Sequence, residues 1–222
     1  EIKTPVSVLE AYMEALEDGV QPLDDKTIAT LRQQTRRLGR FSVDVTLLAL
    51  AERRTTPIDA RWIAPGDAIS NAVTAFAPRY DAEGVALVAQ IPADLPALWA
   101  DPERLGQVFG NLLDNALRHT RAGGQVKVAA FQADEELVIA ISDTGDGVAA
   151  EHLPRLFDRF YRVDAARDRQ HGGAGIGLSI AKALVEAHSG RIDAHSQGRD
   201  RGCTFRIALP SRHQALGVVP VT

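Results

Sequence analysis

Three stretches of this sequence carry residue types whose spacing suits a phosphorylated ligand. "NLLDN" sets Asn111 and Asn115 four positions apart, on one face if the segment is helical. Asparagine is a mediocre helix former, so two on a strong helix suggest a polar duty. A carboxamide oxygen is a hard neutral ligand suited to magnesium, although one solvent-facing and one capping Asn would give the same letters. "ISDTGDGV" puts Asp143 ahead of Gly145 and Gly147. A carboxylate there can accept a hydrogen bond from an exocyclic amine such as adenine N6, and glycines let a flat ring approach the backbone. An Asp-Gly turn is the plainer alternative. "HGGAGIGL" places glycines at 172, 173, 175 and 177 ahead of an apolar run. Each costs roughly 0.5–1 kcal/mol against alanine in regular structure. Uncovered amides at a helix start form an anion site, and a flexible surface loop also fits.

Spacing removes two familiar phosphate motifs. A dinucleotide fold requires G-x-G-x-x-G, whereas Gly173, Gly175 and Gly177 alternate and Leu178 follows. A P-loop requires Lys after Gly, and the lysines at 3, 26, 127 and 182 do not follow one.

The elements that must position these residues follow from periodicity. Val6, Leu9, Met13 and Leu16 repeat at helical spacing from Pro5 to about Glu17, and "DGVQPLDD" supplies a turn. A second run, Ile28, Leu31, Leu38, Phe41, Val45 and Leu48, completes a helical hairpin. Such a hairpin has apolar surface to spare, so pairing as a four-helix bundle on dimerisation is the economical solution, packing on its own chain being the alternative. "ERRTTP" at 52–57 reads as a linker. Beyond it, strand character at 85–91, 125–131, 137–142, 191–195 and 203–209 alternates with helical runs at 65–79, 102–119 and 177–189. The fold class expected is therefore α+β: the hairpin, then a two-layer α/β sandwich with a mostly antiparallel sheet. The expected domains are 1–55, 56–211 and a tail at 212–222. Residues 149–172 form a charged connection resembling a lid.

Bulk properties set limits. The net charge of −4 provides no basic field for nucleic acid, and a single cysteine, Cys203, excludes an internal disulfide. No run approaches a membrane span, so no membrane contact is expected here. The sequence opens in mid-pattern at "EIKTP" and reads as part of a longer protein.

In order, the chain carries N-x-x-x-N on a helix, D-x-G-x-G after a strand, "LFDRFYR", and G-x-G-x-G-L opening a helix. From about residue 57 to 210 it resembles the catalytic domain of sensor histidine kinases, in the ATPase superfamily that also contains gyrase, mismatch-repair proteins and a heat-shock chaperone. The resemblance implies ATP and Mg2+ as cofactors, with Asn115 holding the metal and Asn111 supporting the phosphates. It assigns Asp143 to the adenine amine, with Gly145 and Gly147 shaping that pocket. Phe157 and Phe160 would anchor the lid, and Arg162 would approach the phosphates. Gly173, Gly175, Gly177 and Leu178 would form the phosphate loop, with Gly202 and Thr204 near the base. His119 stands where many relatives carry Tyr. Gyrase-like members carry glutamate at the position of Asn111, and an amide is a poor base, so transfer to a side chain is favoured over hydrolysis.

"EIKTP" further resembles the phosphoacceptor box H-E-[LI]-[KR]-T-P with its histidine expected immediately before Glu1. The resemblance implies Glu1 as general base, and Thr4 as the residue orienting water for phosphatase action on a partner regulator. The chain as written is expected to bind MgATP without labelling itself at that site. The resemblance also implies a homodimer, a response-regulator receiver domain as partner, and a cytoplasmic portion of an inner-membrane protein. A nucleotide-binding scaffold without activity and a gyrase-type ATP clamp are the rival readings. An anti-sigma-type serine kinase would lack the hairpin.

Overall fold

The computed structural model describes residues 3–35, 38, 58–163 and 175–211. Glu1, Gly173, the linker at 52–57, most of the second helical run and the tail lie outside the described residues. Helix α1, Lys3–Glu17, carries Val6, Leu9, Met13 and Leu16 as one stripe, with Met13 57% exposed. After a turn the chain is helical again at 25–35, here α2. Asp24 caps α2 by accepting the Thr27 N–H at 2.7 Å, and this bond holds the carboxyl below its ordinary range. Thr27 itself is 1% exposed and donates to the Pro22 carbonyl.

The remainder is an α+β sandwich. Strands β1 (Arg61–Ile63) and β3 (Leu98–Ala100) pair antiparallel as a small ribbon. Strands β2 (Ala86–Gln90), β4 (Gln125–Ala133), β5 (Glu136–Asp143), β6 (Arg191–His195) and β7 (Thr204–Pro210) form one sheet in the order β2-β4-β5-β7-β6. The β2–β4 pair is parallel and the other three are antiparallel, so the sheet is mostly antiparallel as expected. Helices α3 (Pro65–Ala82), α4 (Pro102–His119) and α5 (Gly177–Ala187) pack on it.

Alternation explains the core. Val126, Val128, Leu137, Ile139, Ile141, Phe205 and Ile207 point to the helical layer and are almost fully buried. They meet Leu105, Leu112 and Leu113 of α4 and Ile180, Leu184 and Val185 of α5. Helix α3 runs through Pro78 to Ala82, beyond the expected end near 79. Tyr80 accounts for this: its side chain is completely buried and its hydroxyl donates to the Leu113 carbonyl at 2.8 Å, so packing outweighs the cost of an interior proline. Burial also pushes the Tyr80 phenol far above its usual range, with the nearby Asp143 and Asp114 charges adding to the effect. On the outer face of the sheet, Arg191 makes a paired hydrogen-bonded bridge to Glu136, with one bond at 2.6 Å.

Candidate functional site

Helix α4 is the backbone of the site. Asp101 caps it, its Oδ1 accepting the Glu103 and Arg104 amides at 3.0 and 3.1 Å, while Oδ2 accepts the Asp59 amide at 2.9 Å. Burial alone would raise the Asp101 carboxyl, but these bonds from Asp59, Arg104 and Glu103 more than offset it and hold it below the ordinary range. The apolar stripe Leu105, Val108, Phe109, Leu112, Leu113 and Ala116 is buried. Asn111 and Asn115 therefore fall at its edge, both half-buried. Among the described residues neither carboxamide has a hydrogen-bond partner.

The glycine loop meets this helix. A Cβ added to Gly177 would lie 3.7 Å from Asn111 Oδ1, so the start of α5 sits beside the first asparagine. Among the described residues no side chain hydrogen-bonds the start of α5, whose N-cap is Ile176. Leu178 anchors the turn by packing against the core. Gly175, at φ 70°, accepts the Phe160 amide at 3.0 Å and joins the loop to the "LFDRFYR" segment.

At the other end of α4 the His119 carbonyl accepts the Asp146 amide at 3.0 Å, bringing in the end of β5. Asp143 is 8% exposed, and its Oδ1 accepts the Gly145 amide at 2.9 Å and the Cys203 amide at 3.2 Å. Among the described residues no donor reaches Oδ2. Burial raises the Asp143 carboxyl, opposed by the Gly145 and Cys203 bonds and the His119 charge and assisted by Asp146. The glycines here serve chain packing: a Cβ on Gly145 would strike the His119 carbonyl, and one on Gly147, at φ 63°, the Gly198 carbonyl. Arg121 closes the rim with a 3.1 Å bridge to Asp146, and His119 Nδ1 lies 3.9 Å from the same carboxylate.

The remaining expected residues divide. Phe157 packs edge-on against Phe205, with ring centroids 6.2 Å apart. Phe160 differs: its ring is 58% exposed at φ 63°, so its backbone rather than its ring holds the segment. His152 Nδ1 lies 2.7 Å from the Tyr161 hydroxyl and Arg155 covers the Tyr161 ring, two contacts the sequence did not announce. Arg162 is half-buried with its Cγ against Gly175. The Thr204 hydroxyl bonds Ser142 at 2.9 Å, on the opposite sheet face from Asp143, and Cys203 takes the place beside the carboxylate. Burial and the Asp143 charge push the Cys203 thiol up to about 12. Thr4 is exposed in the first turn of α1.

A buried carboxylate with one oxygen open, two unpartnered carboxamides and an uncapped helix start form a donor and acceptor set that fits a purine nucleotide with a hard cation. Among the described residues, groups of His, Cys, Asp and Glu that could hold a metal by themselves are absent.

Comparison with known proteins agrees. Residues 100–213 match the family described as Histidine kinase-, DNA gyrase B-, and HSP90-like ATPase. The chain is 36% identical over 214 residues to the signal transduction histidine-protein kinase BaeS of Escherichia coli (strain K12), covering 95% of this chain and 44% of that one. It is 34% identical over 214 residues to the sensor protein SrrB of Staphylococcus aureus (strain N315), covering 95% and 36%. It thus spans less than half the length of these curated relatives. Among solved structures, the Acinetobacter baumannii histidine kinase AdeS superposes with a TM-score of 0.79 at 24% identity over 96% of this chain and 98% of that one. Full-length ShkA in complex with AMPPNP gives 0.74 at 21% identity, covering 99% of this chain and 47% of that one. ThkA in complex with the response regulator TrrA gives 0.75 at 17%, covering 97% and 60%. At these identities the structural likeness is one of fold. The family match and the sequence relatives together place the chain in the histidine kinase-, DNA gyrase B-, and HSP90-like ATPase family, as the ATPase domain of a two-component sensor histidine kinase.

Proposed function

We propose that this chain is the catalytic core of its sensor kinase: it binds MgATP along α4, transfers the γ-phosphate to a histidine placed immediately before Glu1, and supplies that phosphate to a receiver-domain aspartate. The observation that carries this reading is the order of groups on one helix. The α5 start lies beside Asn111, Asn115 follows one turn on, and the Asp143 loop meets His119, a span of about 12 Å at 1.5 Å per residue. Phosphates at one end and a base at the other fit that order.

In this reading Asp143 Oδ2 accepts the adenine amine, while Gly145 and Gly147 hold the loop that aims it. Gly173, Gly175, Gly177 and Leu178 present backbone amides to the phosphates, with Phe157, Phe160 and Arg162 closing the same end and Thr204 supporting the strand behind Asp143. Asn115 holds Mg2+ and Asn111 orients the phosphates. When bound, the metal neutralises charge on the transferring phosphoryl group. What the chain contributes is positioning and fixed dipoles. Glu1 takes the proton from the accepting imidazole and Thr4 orients water in the phosphatase direction. Solved relatives lend support, since ShkA was obtained with AMPPNP and ThkA with a response regulator. The hairpin stripe supports a homodimer. Among the described residues no helix is long and apolar enough to cross a membrane. The curated relatives being longer, we place this chain on the cytoplasmic side of a membrane-anchored sensor.

The test extends the chain by one histidine before Glu1 and incubates it with γ-labelled MgATP. Acid-labile, base-stable label that disappears with Asn115→Ala is expected. Nucleotide binding without label, or steady ATP turnover without label, would replace this reading with a scaffold or a hydrolytic clamp respectively.

A further inference from the structure

His188 sits just past the end of α5 and is 8% exposed. Its Nδ1 lies 2.7 Å from the Leu184 carbonyl oxygen and its Nε2 3.0 Å from the Asp101 backbone nitrogen. A carbonyl only accepts and a backbone N–H only donates, so the proton is on Nδ1 and the Nε2 lone pair faces Asp101. Asp101 is itself 6% exposed, caps α4 with one carboxylate oxygen, and holds the Asp59 amide with the other. Three segments thus meet at one buried polar node: the end of the helix that starts at the glycine loop, the start of the helix that carries both asparagines, and the segment through which the chain enters the sandwich after the hairpin.

The geometry makes this node the far end of a lever. Helices α4 and α5 run antiparallel, with Gly177 beside Asn111 at one end and His188 against Asp101 at the other. The node lies about 15 Å from the nucleotide groups, at 1.5 Å per helical residue, so His188 touches no reacting atom. A buried imidazole bonded at both nitrogens fixes the helix pair in direction as well as in distance. An aliphatic side chain would fill the space without that constraint.

We propose that His188 is a positioning residue for phosphoryl transfer: by tying the end of α5 through Asp101 to Asp59, it couples the seating of nucleotide at the glycine loop to the connection that leads to the hairpin. The inference rests on the kinase reading above and concerns how the site communicates rather than what it binds.

The experiment uses the full chain with the added histidine, unsubstituted and as His188→Leu and His188→Gln. Three quantities are measured: the Kd for MgATP by displacement of a fluorescent nucleotide, the labelling rate at saturating MgATP, and the amide exchange rate of Asp59 by NMR. For His188→Leu we expect a Kd within threefold of the unsubstituted chain, a labelling rate at least tenfold lower, and Asp59 exchange at least tenfold faster while Ile141 in the central strand keeps its protection. His188→Gln, whose carboxamide supplies both an acceptor and a donor, recovers part of the rate. A Kd that rises in proportion to the loss of rate, or unchanged Asp59 exchange, would show that the node serves packing alone and overturn the proposal. Absence of label from the unsubstituted chain would instead sink the kinase reading, and Asp59 exchange still decides the coupling. Should the leucine variant not fold, the unsubstituted chain suffices: a non-hydrolysable MgATP analogue must shift the His188 Nε2 resonance and slow Asp59 exchange, and no change in either would overturn the proposal.

Discussion

In the proposed reading, Asp143 concentrates the chemistry of the base pocket in one atom. With Oδ1 occupied by the Gly145 and Cys203 amides, Oδ2 is the acceptor offered to a ligand. Asp143→Asn keeps an oxygen for those two amides and turns an NH2 towards the base, so donor faces donor against adenine while guanine O6 becomes acceptable. ATP affinity is expected to fall about ten- to a hundredfold, the 1.5–3 kcal/mol of a charged hydrogen bond, and the preference for ATP over GTP to narrow in competition titrations. Acidity matters at the same atom. Burial raises the Asp143 carboxyl above 3.8, so its contribution to folding is fully present below the unfolded value and is lost as pH rises through the folded one. Binding runs the other way, because an ionised oxygen is the better acceptor. Nucleotide affinity should therefore fall as pH is lowered into the range above 3.8 and Asp143→Asn should flatten that dependence, which calorimetric titration across the acidic range checks.

Between elements, backbone contacts decide. The end of β5 and the start of β7 approach so closely that Gly202, at φ 67°, has the Asp143 carbonyl where a Cβ would stand, and the Gly202 amide donates to the Gly145 carbonyl at 3.1 Å. Gly202→Ala adds left-handed strain of about 1–2 kcal/mol to that collision, and the same shift moves the Cys203 amide off Asp143. A loss of about 2 kcal/mol or more in denaturant unfolding is expected, together with weakened nucleotide binding. A fold of unchanged stability would show that the two strands have room to part.

For the molecule as a whole, apolar surface is left uncovered both in the sandwich and ahead of it. The sandwich has one continuous buried core but leaves Trp99 55% and Phe160 58% exposed, and ahead of it α1 leaves Met13 57% exposed and the following turn leaves Leu23 66% exposed. Met13, exposed on the α1 stripe, fits the proposed association with a second copy of the chain. Sedimentation of the full chain is expected to show a dimer, and Met13→Glu to shift it towards monomer without altering MgATP binding. A monomer at all concentrations, or a dimer indifferent to Met13→Glu, would remove that stripe from the interface.

Much of this was legible from sequence because it is local. Helix α4 begins and ends where its Asp-Pro start and strong apolar period predict, and β6 coincides with its alternating run. The motif residues are equally local, since spacing alone puts Asn111 and Asn115 on one face. Strands β1 and β3 went unread because three residues carry no period, and their pairing of Trp62 with Trp99 is a long-range contact. Register could not be read either: a shift of one residue turns a side chain to the other face of a sheet, and this is why Cys203, rather than Thr204, lies beside Asp143. The glycines looked like room for a ligand, and the tertiary structure shows that two of them make room for other backbone. His188 lies furthest from what a sequence can tell. It is an unremarked residue after an apolar helix until folding sets it against Asp101 across the chain, because a hydrogen-bond partner is chosen by packing and not by spacing.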